Sequence, residues 1–382
     1  MPAVFGFGPV LALVSLFLYW RLARATSAPR PVRRTVGVVL LVMWVLAVVG
    51  LGSGVVFDPT WARAPGFVGL TWLAALLYLS LGVLLLGFVA LVVRVVGAAG
   101  RRDVSSTRRT FLRIGSAVVV AATAVTVGYG LVEAATPRVT RTDVALDRLP
   151  AEFDGVRVAL VSDIHAGPAR GAGFVQSVVD EVNAQKPDMI VLDGDLIDGT
   201  VELVGDVLDP IRQLSAPLGV FAVSGNHEFY ADDGGKWLDL WSGLGVDVLR
   251  NDHTIVTRSG ADIAVAGVND FTAPAPYEPD MGAALDGVDP DQFVFMLAHQ
   301  PRQALEASDR GVDVQVSGHT HAGQLWPIRY LVPLQQPTVE GLDTVGSTTV
   351  YTTRGAGAWG PPVRVAAPPE ISMLTLLANQ SG

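Results

Sequence analysis

The sequence contains no cysteine, and only 16% of its 382 residues are charged. Without thiols there is no disulfide framework, no thiolate zinc or iron–sulfur site and no cysteine nucleophile, so any metal must be held by oxygen and imidazole. The shortage of charge, beside 50% hydrophobic residues and a mean hydropathy of +0.42, excludes a disordered chain and a conventional, wholly soluble enzyme. What charge there is falls unevenly. Residues 1–141 hold 14 Arg against 3 acids, and residues 142–382 hold 13 Lys plus Arg against 33 acids, giving +11 and −20. At 40.2 kDa the chain exceeds one ordinary core. The composition divides it into a membrane region, 1–134, a linker, 135–150, and a polar domain, 151–382.

Four apolar runs fill the first region: Val4 to Trp20, Thr35 to Phe57, Gly66 to about Val93 and Ile114 to about Val132. Each approaches or exceeds the ~17–25 residues that a helix needs to cross the hydrocarbon. The first run has no basic residue before it and no small-residue cleavage site after it, so it reads as an uncleaved span, not a signal peptide. Arg21, Arg24, Arg30, Arg33 and Arg34 lie between spans one and two; Arg94, Arg101, Arg102, Arg108, Arg109 and Arg113 lie between spans three and four; Arg63 stands alone between spans two and three. By the positive-inside rule the amino terminus and the polar domain face outward, which predicts a multi-pass cell-membrane protein with an extracytoplasmic domain. The runs contain no Asp, Glu, Lys or His, which argues for an anchor or platform over a transport path. Thr107–Arg113, TRRTFLR, resembles the twin-arginine export signal, although paired arginines also anchor a span; the sequence leaves both readings open.

In the polar domain, short β-branched runs alternate with helical stretches. Val156–Ser162, Met189–Leu192, Gly219–Val223, Ile263–Val268, Phe293–Ala298 and Val312–Val316 read as buried strands, with Thr348–Thr353 and Ile371–Leu377 closing the sheet. Gly171–Ala184, Lys236–Gly243 and Pro301–Ser308 read as helices. This order predicts an α/β sandwich. Nearly every polar cluster follows a strand directly: Asp163-Ile164-His165, Gly194-Asp195 with Asp198, Gly225-Asn226-His227-Glu228, His299, and Gly318-His319-Thr320-His321. Ligand crevices of open α/β sheets lie beyond the carboxyl ends of the strands, so five strands deliver oxygen and nitrogen donors to one place.

Those donors suit Mn, Fe or Zn and not Ca. Seven of them, Asp163, His165, Asp195, Asn226, His299, His319 and His321, exceed what one ion needs, and two divalent ions sharing a carboxylate fit the number better. Such a pair yields hydroxide at neutral pH and stabilises the attacking and leaving oxygens on phosphorus. Asp163/His165 and His319/His321 are each two residues apart, which on a strict strand points both members to one face. A lone Asp-x-His is more often a turn, but five of the six histidines fall at strand ends in order. His253, the sixth, reads as an exposed turn residue.

The order Asp-x-His, Gly-Asp-x-x-Asp, Gly-Asn-His-Glu, His, Gly-His-x-His resembles the calcineurin-like metallophosphoesterase superfamily. Gly318–Gln324, His299-Gln300-Pro301, Thr353-Arg354-Gly355 and Pro369-Glu370-Ile371 are similar to its bacterial membrane-linked phosphodiesterases of the YkuE and YaeI type, where Gly is usual at the place of Ala322. The resemblance covers roughly residues 150–378 and implies a four-layer αββα sandwich. It also implies one ion on Asp163, His165, Asp195 and His321, a second on Asp195, Asn226, His299 and His319, and Asp195 as the bridge. His227 would be the catalytic residue beside the leaving oxygen, as general acid or charge stabiliser. Asp198 and Glu228 would orient ligand imidazoles, and Gly194, Gly225 and Gly318 would allow tight turns near the ions. Tyr230, Trp326 and Arg354 are weaker pocket candidates.

The expectation is thus a membrane-anchored dinuclear phosphoesterase acting by a metal-derived hydroxide on a phosphodiester or pyrophosphate of a lipid or cell-envelope intermediate. A phosphomonoesterase on a soluble substrate and a non-catalytic ligand or metal sensor stay open as alternatives. Nucleic acid is not an expected partner, because −20 on the polar domain repels it.

Overall fold

A computed structural model describes residues 3–99 and 105–379. Arg101 and Arg102 of the second arginine cluster lie outside the described residues. The chain divides into two compact units with the break after Val132.

The first unit is helical: α1 (Ala3–Tyr19), prolonged by a π-helical turn over Trp20–Arg24, α2 (Arg30–Gly52), α3 (Pro59–Ala99) and α4 (Ser105–Ala134). Among the described residues, four stretches, Gly6–Arg24, Arg30–Gly52, Pro59–Val96 and Thr110–Ala134, are long and apolar enough to cross a membrane. The second begins and ends five residues earlier than its apolar run. Pro31 in the first turn presets a helical φ at its start, and at its end Gly52 accepts the N–H of Val56 and Phe57 in a turn that Gly54 closes with φ 78°. α2 and α3 approach through glycine: a Cβ on Gly50 would meet Gly66 O at 2.7 Å, and one on Gly69 would overlap the Leu46 carbonyl. Arg113 at the foot of α4 donates to the carbonyls of Thr26 (2.9 Å) and Ser27 (3.1 Å), tying α4 to the α1–α2 turn.

The second unit holds two mixed six-stranded sheets. Its strands are β1 (Arg138–Leu146), β2 (Arg157–Val161), β3 (Met189–Asp193), β4 (Val220–Val223), β5 (Asp247–Val248), β6 (Asp252–Arg258), β7 (Ala261–Gly267), β8 (Val294–Leu297), β9 (Val314–Ser317), β10 (Gly341–Val345), β11 (Thr348–Thr352) and β12 (Glu370–Ala378). One sheet has the order β1-β12-β2-β3-β4-β5 and the other β10-β11-β9-β8-β7-β6. Its helices are α5 (Ala172–Ala184), α6 (Val201–Val204), α7 (His227–Ala231), α8 (Gly234–Gly243), α9 (Met281–Ala284) and α10 (Ala304–Asp309).

Strand alternation sorts the apolar residues into three layers. Val158 and Leu160 of β2, Met189 and Val191 of β3, and Val265, Phe295 and Val316 of the other sheet meet between the sheets. Ala159, Val161, Ile190 and Leu192 face outward onto Val175, Val178, Val179 and Val182 of α5 and Trp237 and Trp241 of α8. Ala264, Ala266, Val294 and Met296 face the other way onto Met281, Ala284 and Ala307. Because helices cover both outer faces, the central strands read as largely apolar runs, broken in β9 by buried Gln315. The layering is αββα.

Two expectations change. Residues 138–146, read as linker, form β1, which pairs in parallel with β12 along all nine residues. Only Val144 and Leu146 of β1 are buried, so its sequence looks solvated until β12 arrives. His253 lies in β6, half-buried, with Nδ1 3.0 Å from the Ala284 carbonyl, and is no exposed turn.

Candidate metal centre

The parallel strands β2, β3 and β4 end side by side, as do β8 and β9. The chain leaves them in left-handed backbone: φ is 55° at Asp163, 48° at His165, 52° at Asp195, 66° at His319 and 50° at His321. Each such non-glycine residue costs about 1 kcal/mol or more and persists only where its surroundings hold it. Here the ladder continues through the loops. Asp163 N donates to Gly194 O (3.0 Å), His165 N to Asp195 O (3.1 Å), Ala166 N to Leu196 O (2.9 Å) and Asp198 N to Ala166 O (2.7 Å). Neither Asp163/His165 nor His319/His321 is on a strand, so the shared-face argument fails for both pairs; the strained loops bring them inward instead.

Among the described residues, three groups of side chains have ligand atoms within 4.8 Å of one another: Asp163, His165 and His321; His165, Asp195 and His227; Asp195, His299 and His319. His165 Nε2 and His321 Nε2 face each other at 3.0 Å, and Asp163 Oδ1 lies 3.2 Å from His321 Nε2. Asp195 Oδ2 is 3.2 Å from His299 Nε2 and 3.9 Å from His165 Nε2, so one oxygen looks toward both ends of the cluster. Its other oxygen accepts His227 N–H at 2.8 Å. Asn226 Oδ1 lies 2.8 Å from His319 Nδ1.

The residues around this cluster orient it. Asp198 Oδ1 sits 3.0 Å from Nδ1 of His165 and 2.7 Å from Nδ1 of His227, which places N–H at both Nδ1 atoms and frees His165 Nε2 as a donor atom. His299 Nδ1 donates to Asp193 O at 2.6 Å, and its inward Nε2 is buried facing Asp195 Oδ2. Glu228 orients no imidazole, contrary to expectation; it accepts the N–H of Gly225 (2.7 Å), Leu196 (3.0 Å) and Asp195 (3.1 Å), fastening the two glycine turns together. A Cβ on Gly318 would collide with Asp163 Oδ2, and one on Gly225 with Asp195 Oδ1, so glycine is needed where the loops pass behind these carboxylates.

Electrostatics follow from burial opposed by charge. Burial alone would raise Asp163 and Asp195, but His321 beside the first and His299 and His227 beside the second outweigh it, and both carboxyls titrate below the usual range. Burial lowers His227, yet Asp195 and Asp198 overcome it and hold the imidazole up at about 9. Burial pulls His321 down to about 4 despite Asp163. A buried His299 Nε2 aimed at the Asp195 carboxylate, two imidazole nitrogens 3.0 Å apart and two ionised carboxylates form a donor set that fits a divalent cation.

Two neighbours were not anticipated. Arg364 is fully buried and forms no salt bridge with a carboxylate among the described residues. It donates to the carbonyls of Gly357 (2.7 Å), Arg354 (2.8 Å) and His321 (3.0 Å), with Nη2 2.9 Å from His321 Nδ1. Trp359 lies with its ring 5.8 Å from that of His227, opposite Tyr230 at 4.8 Å. Nothing in the sequence around Arg364 or Trp359 signals a site, because each acquires its role only when the 354–365 loop folds back. Arg354 is taken up by Glu340 and Glu370, and Trp326 lies on an outer loop.

Residues 156–323 match the calcineurin-like phosphoesterase family. The chain is 37% identical over 265 residues to a zebrafish transmembrane protein with metallophosphoesterase domain, covering 66% of this chain and 61% of that one. A Helicobacter pylori metallophosphoesterase is 36% identical over 277 residues, covering 70% and 71%. The Bacillus subtilis metallophosphoesterase YkuE is 32% identical over 283 residues, covering 71% and 97%. The chain spans 61% of the zebrafish protein and 66% of its cattle counterpart, less than two thirds of either.

Proposed function

Because this chain belongs to the calcineurin-like metallophosphoesterases, we propose that it hydrolyses a phosphodiester or pyrophosphate bond with two divalent ions. The observation that carries the reading is the convergence of two donor groups on Asp195. Asp163, His165, Asp195 and His321 would hold one ion, and Asp195, Asn226, His299 and His319 the other. Mn, Fe or Zn suits these oxygen and imidazole donors. When bound, two such ions supply activated water at neutral pH and neutralise charge on the phosphoryl oxygens.

The chain's own residues supply the rest. His227, anchored by Asp198 and backed by Asp195, presents a protonated ring at the edge of the donor cluster and gives its proton to the departing oxygen. Asp198 remains as the acceptor that keeps Nδ1–H in place, and the strained loops fix the donors before substrate arrives. Tyr230 and Trp359 wall the His227 side with half-exposed aromatic faces, which accept a second ester substituent more readily than a bare phosphomonoester would require.

The apolar helices, together with relatives named as transmembrane proteins, make the protein membrane-associated. The reading extends to a multi-pass cell-membrane protein whose phosphoesterase domain is extracytoplasmic, supported by the arginine distribution, and to a substrate that is a lipid or cell-envelope phosphoester. Kinetics of the full chain in detergent test it. Lipid-linked diesters or pyrophosphates should be preferred in kcat/KM over soluble sugar phosphates and nucleotides. A soluble monoester preferred by roughly ten-fold, about 1.4 kcal/mol of transition-state discrimination, contradicts the substrate class.

A further inference from the structure

We propose that the loop Leu325–Leu334 is a lipid-contacting element that seats the rim of the metal site on the bilayer surface. The inference rests on membrane association and is independent of the substrate class.

Sheet topology is the first support. β1 pairs in parallel with β12 from Arg138↔Glu370 onward, and β12 runs antiparallel to β2 with Ser372 opposite Leu160. The start of β1 therefore lies at the end of the sheet where β2 and β3 release Asp163 and Asp195. Three residues, 135–137, separate that start from the last residue of α4, Ala134. At ~3.3–3.6 Å per residue such a tether spans no more than about 14 Å. The tether therefore enters the domain at the sheet end that carries the candidate metal site.

The second support is charge. No Asp or Glu occurs from Val314 to Val339, nor from Thr344 to Pro369, in a region whose net charge is −20. Between these segments Glu340 is neutralised by Arg329 (2.8 Å) and Arg354 (3.3 Å). Asp343, on the exposed strand β10, is the one other acid between them, so the chain returning from His319 and His321 carries few acids toward anionic headgroups in a domain that is strongly acidic as a whole.

The third support is the loop itself. Trp326 (49% exposed), Ile328 (37%), Tyr330 (68%), Leu331 (60%) and Leu334 (80%) crowd into nine residues. Two short 3-10 turns, Ile328–Tyr330 and Val332–Leu334, occupy its backbone groups: Ile328 N donates to Leu325 O, Leu331 N to Ile328 O and Leu334 N to Leu331 O. A loop whose backbone turns in on itself in this way, with exposed Trp, Tyr and Leu, is suited to the headgroup and acyl boundary. It joins the site's rim through Gln324, whose amide donates to Trp359 O (2.8 Å) and accepts from Trp359 N (2.9 Å). Lipid contact at the loop therefore brings the Trp359 and His227 side of the site to membrane-borne molecules.

The absence of native cysteine makes single labels clean. Tyr330→Cys, Leu331→Cys and Leu334→Cys, and Glu152→Cys at the opposite end of the sheet, are each given a nitroxide in the full chain reconstituted into phospholipid nanodiscs. Thermal unfolding is matched to the unlabelled protein first. Collision with oxygen, which partitions into lipid, should dominate over collision with a water-soluble nickel chelate at the loop positions, and the reverse should hold at 152. Nickel access at the loop equal to that at 152 overturns the proposal. Loss of access to both reagents, the sign of cover by a second copy, overturns it as well. No turnover enters the readout, so failure of the proposed substrate class leaves this result unaffected.

Discussion

His227 is the residue whose surroundings most sharply separate chemistry from binding. Its Nδ1 is held by Asp198 and its backbone N–H by Asp195, but its ring lies at the edge of the donor cluster between Tyr230 and Trp359. His227→Ala should keep the metal content of the wild type and lower kcat by ~10²–10⁴, with a smaller loss when the leaving group is a good one such as p-nitrophenolate. Loss of metal in this variant would make His227 a ligand and remove the general acid from the mechanism. Gly318 offers a backbone counterpart. Gly318→Ala drives a methyl into Asp163 Oδ2, and should weaken metal binding by ~10–100-fold, the scale seen when a ligand's support is removed; titration of the metal-free protein with Mn or Zn would show wild-type affinity if that loop has room to spare.

At the scale of elements, β1 is where the physics departs most from the local sequence. Its burial alternates late, with Val144 and Leu146 inside and Asp143 and Ala145 outside. Val144→Asp places an unpaired carboxylate between the sheets, costing about 3 kcal/mol or more, whereas Ala145→Asp should change stability by no more than ~0.5 kcal/mol. Thermal unfolding of the two variants measures the difference, and equal melting temperatures would mean that β1 does not belong to the folded domain. The central strands could be read directly, because β2, β3, β8 and β9 are buried on both faces and mostly apolar, with buried Gln315 in β9 the main exception. β1 could not, since its partner lies more than 200 residues away and most of its side chains are wet. The site was legible in its donors for a related reason: chemistry-bearing residues interrupt apolar runs at their carboxyl ends. It was not legible in its supports. Arg364 looks like any loop arginine, Glu228 differs from an imidazole partner only through the fold of Gly194 and Gly225, and the left-handed loop at Asp163–His165 replaces the strand that a two-residue spacing suggests.

For the whole molecule, the proposed orientation, with the arginine-rich loops inside, can be tested without turnover. Reporter fusions after Pro29 and Gly100 should be active only as cytoplasmic reporters, and those after Pro65 and Pro137 only as exported ones. An exported reporter active at Gly100 and silent at Pro137 would invert the threading. If export also uses the paired arginines, Arg108→Lys with Arg109→Lys blocks translocation of the domain while preserving flanking charge; undisturbed export leaves them as anchors for α4.

The central claim is that Asp195 joins two ions into one hydrolytic centre. Its most direct test is the metal content of the full-length protein, measured per chain beside phosphodiester hydrolysis, for the wild type and for Asp195→Asn after chelation and reloading with Mn or Zn. The account predicts about two ions per wild-type chain, activity that disappears with chelator and returns with metal, and loss of nearly all turnover in Asp195→Asn. One ion per chain with full activity, or hydrolysis that survives chelation or the substitution, would contradict it.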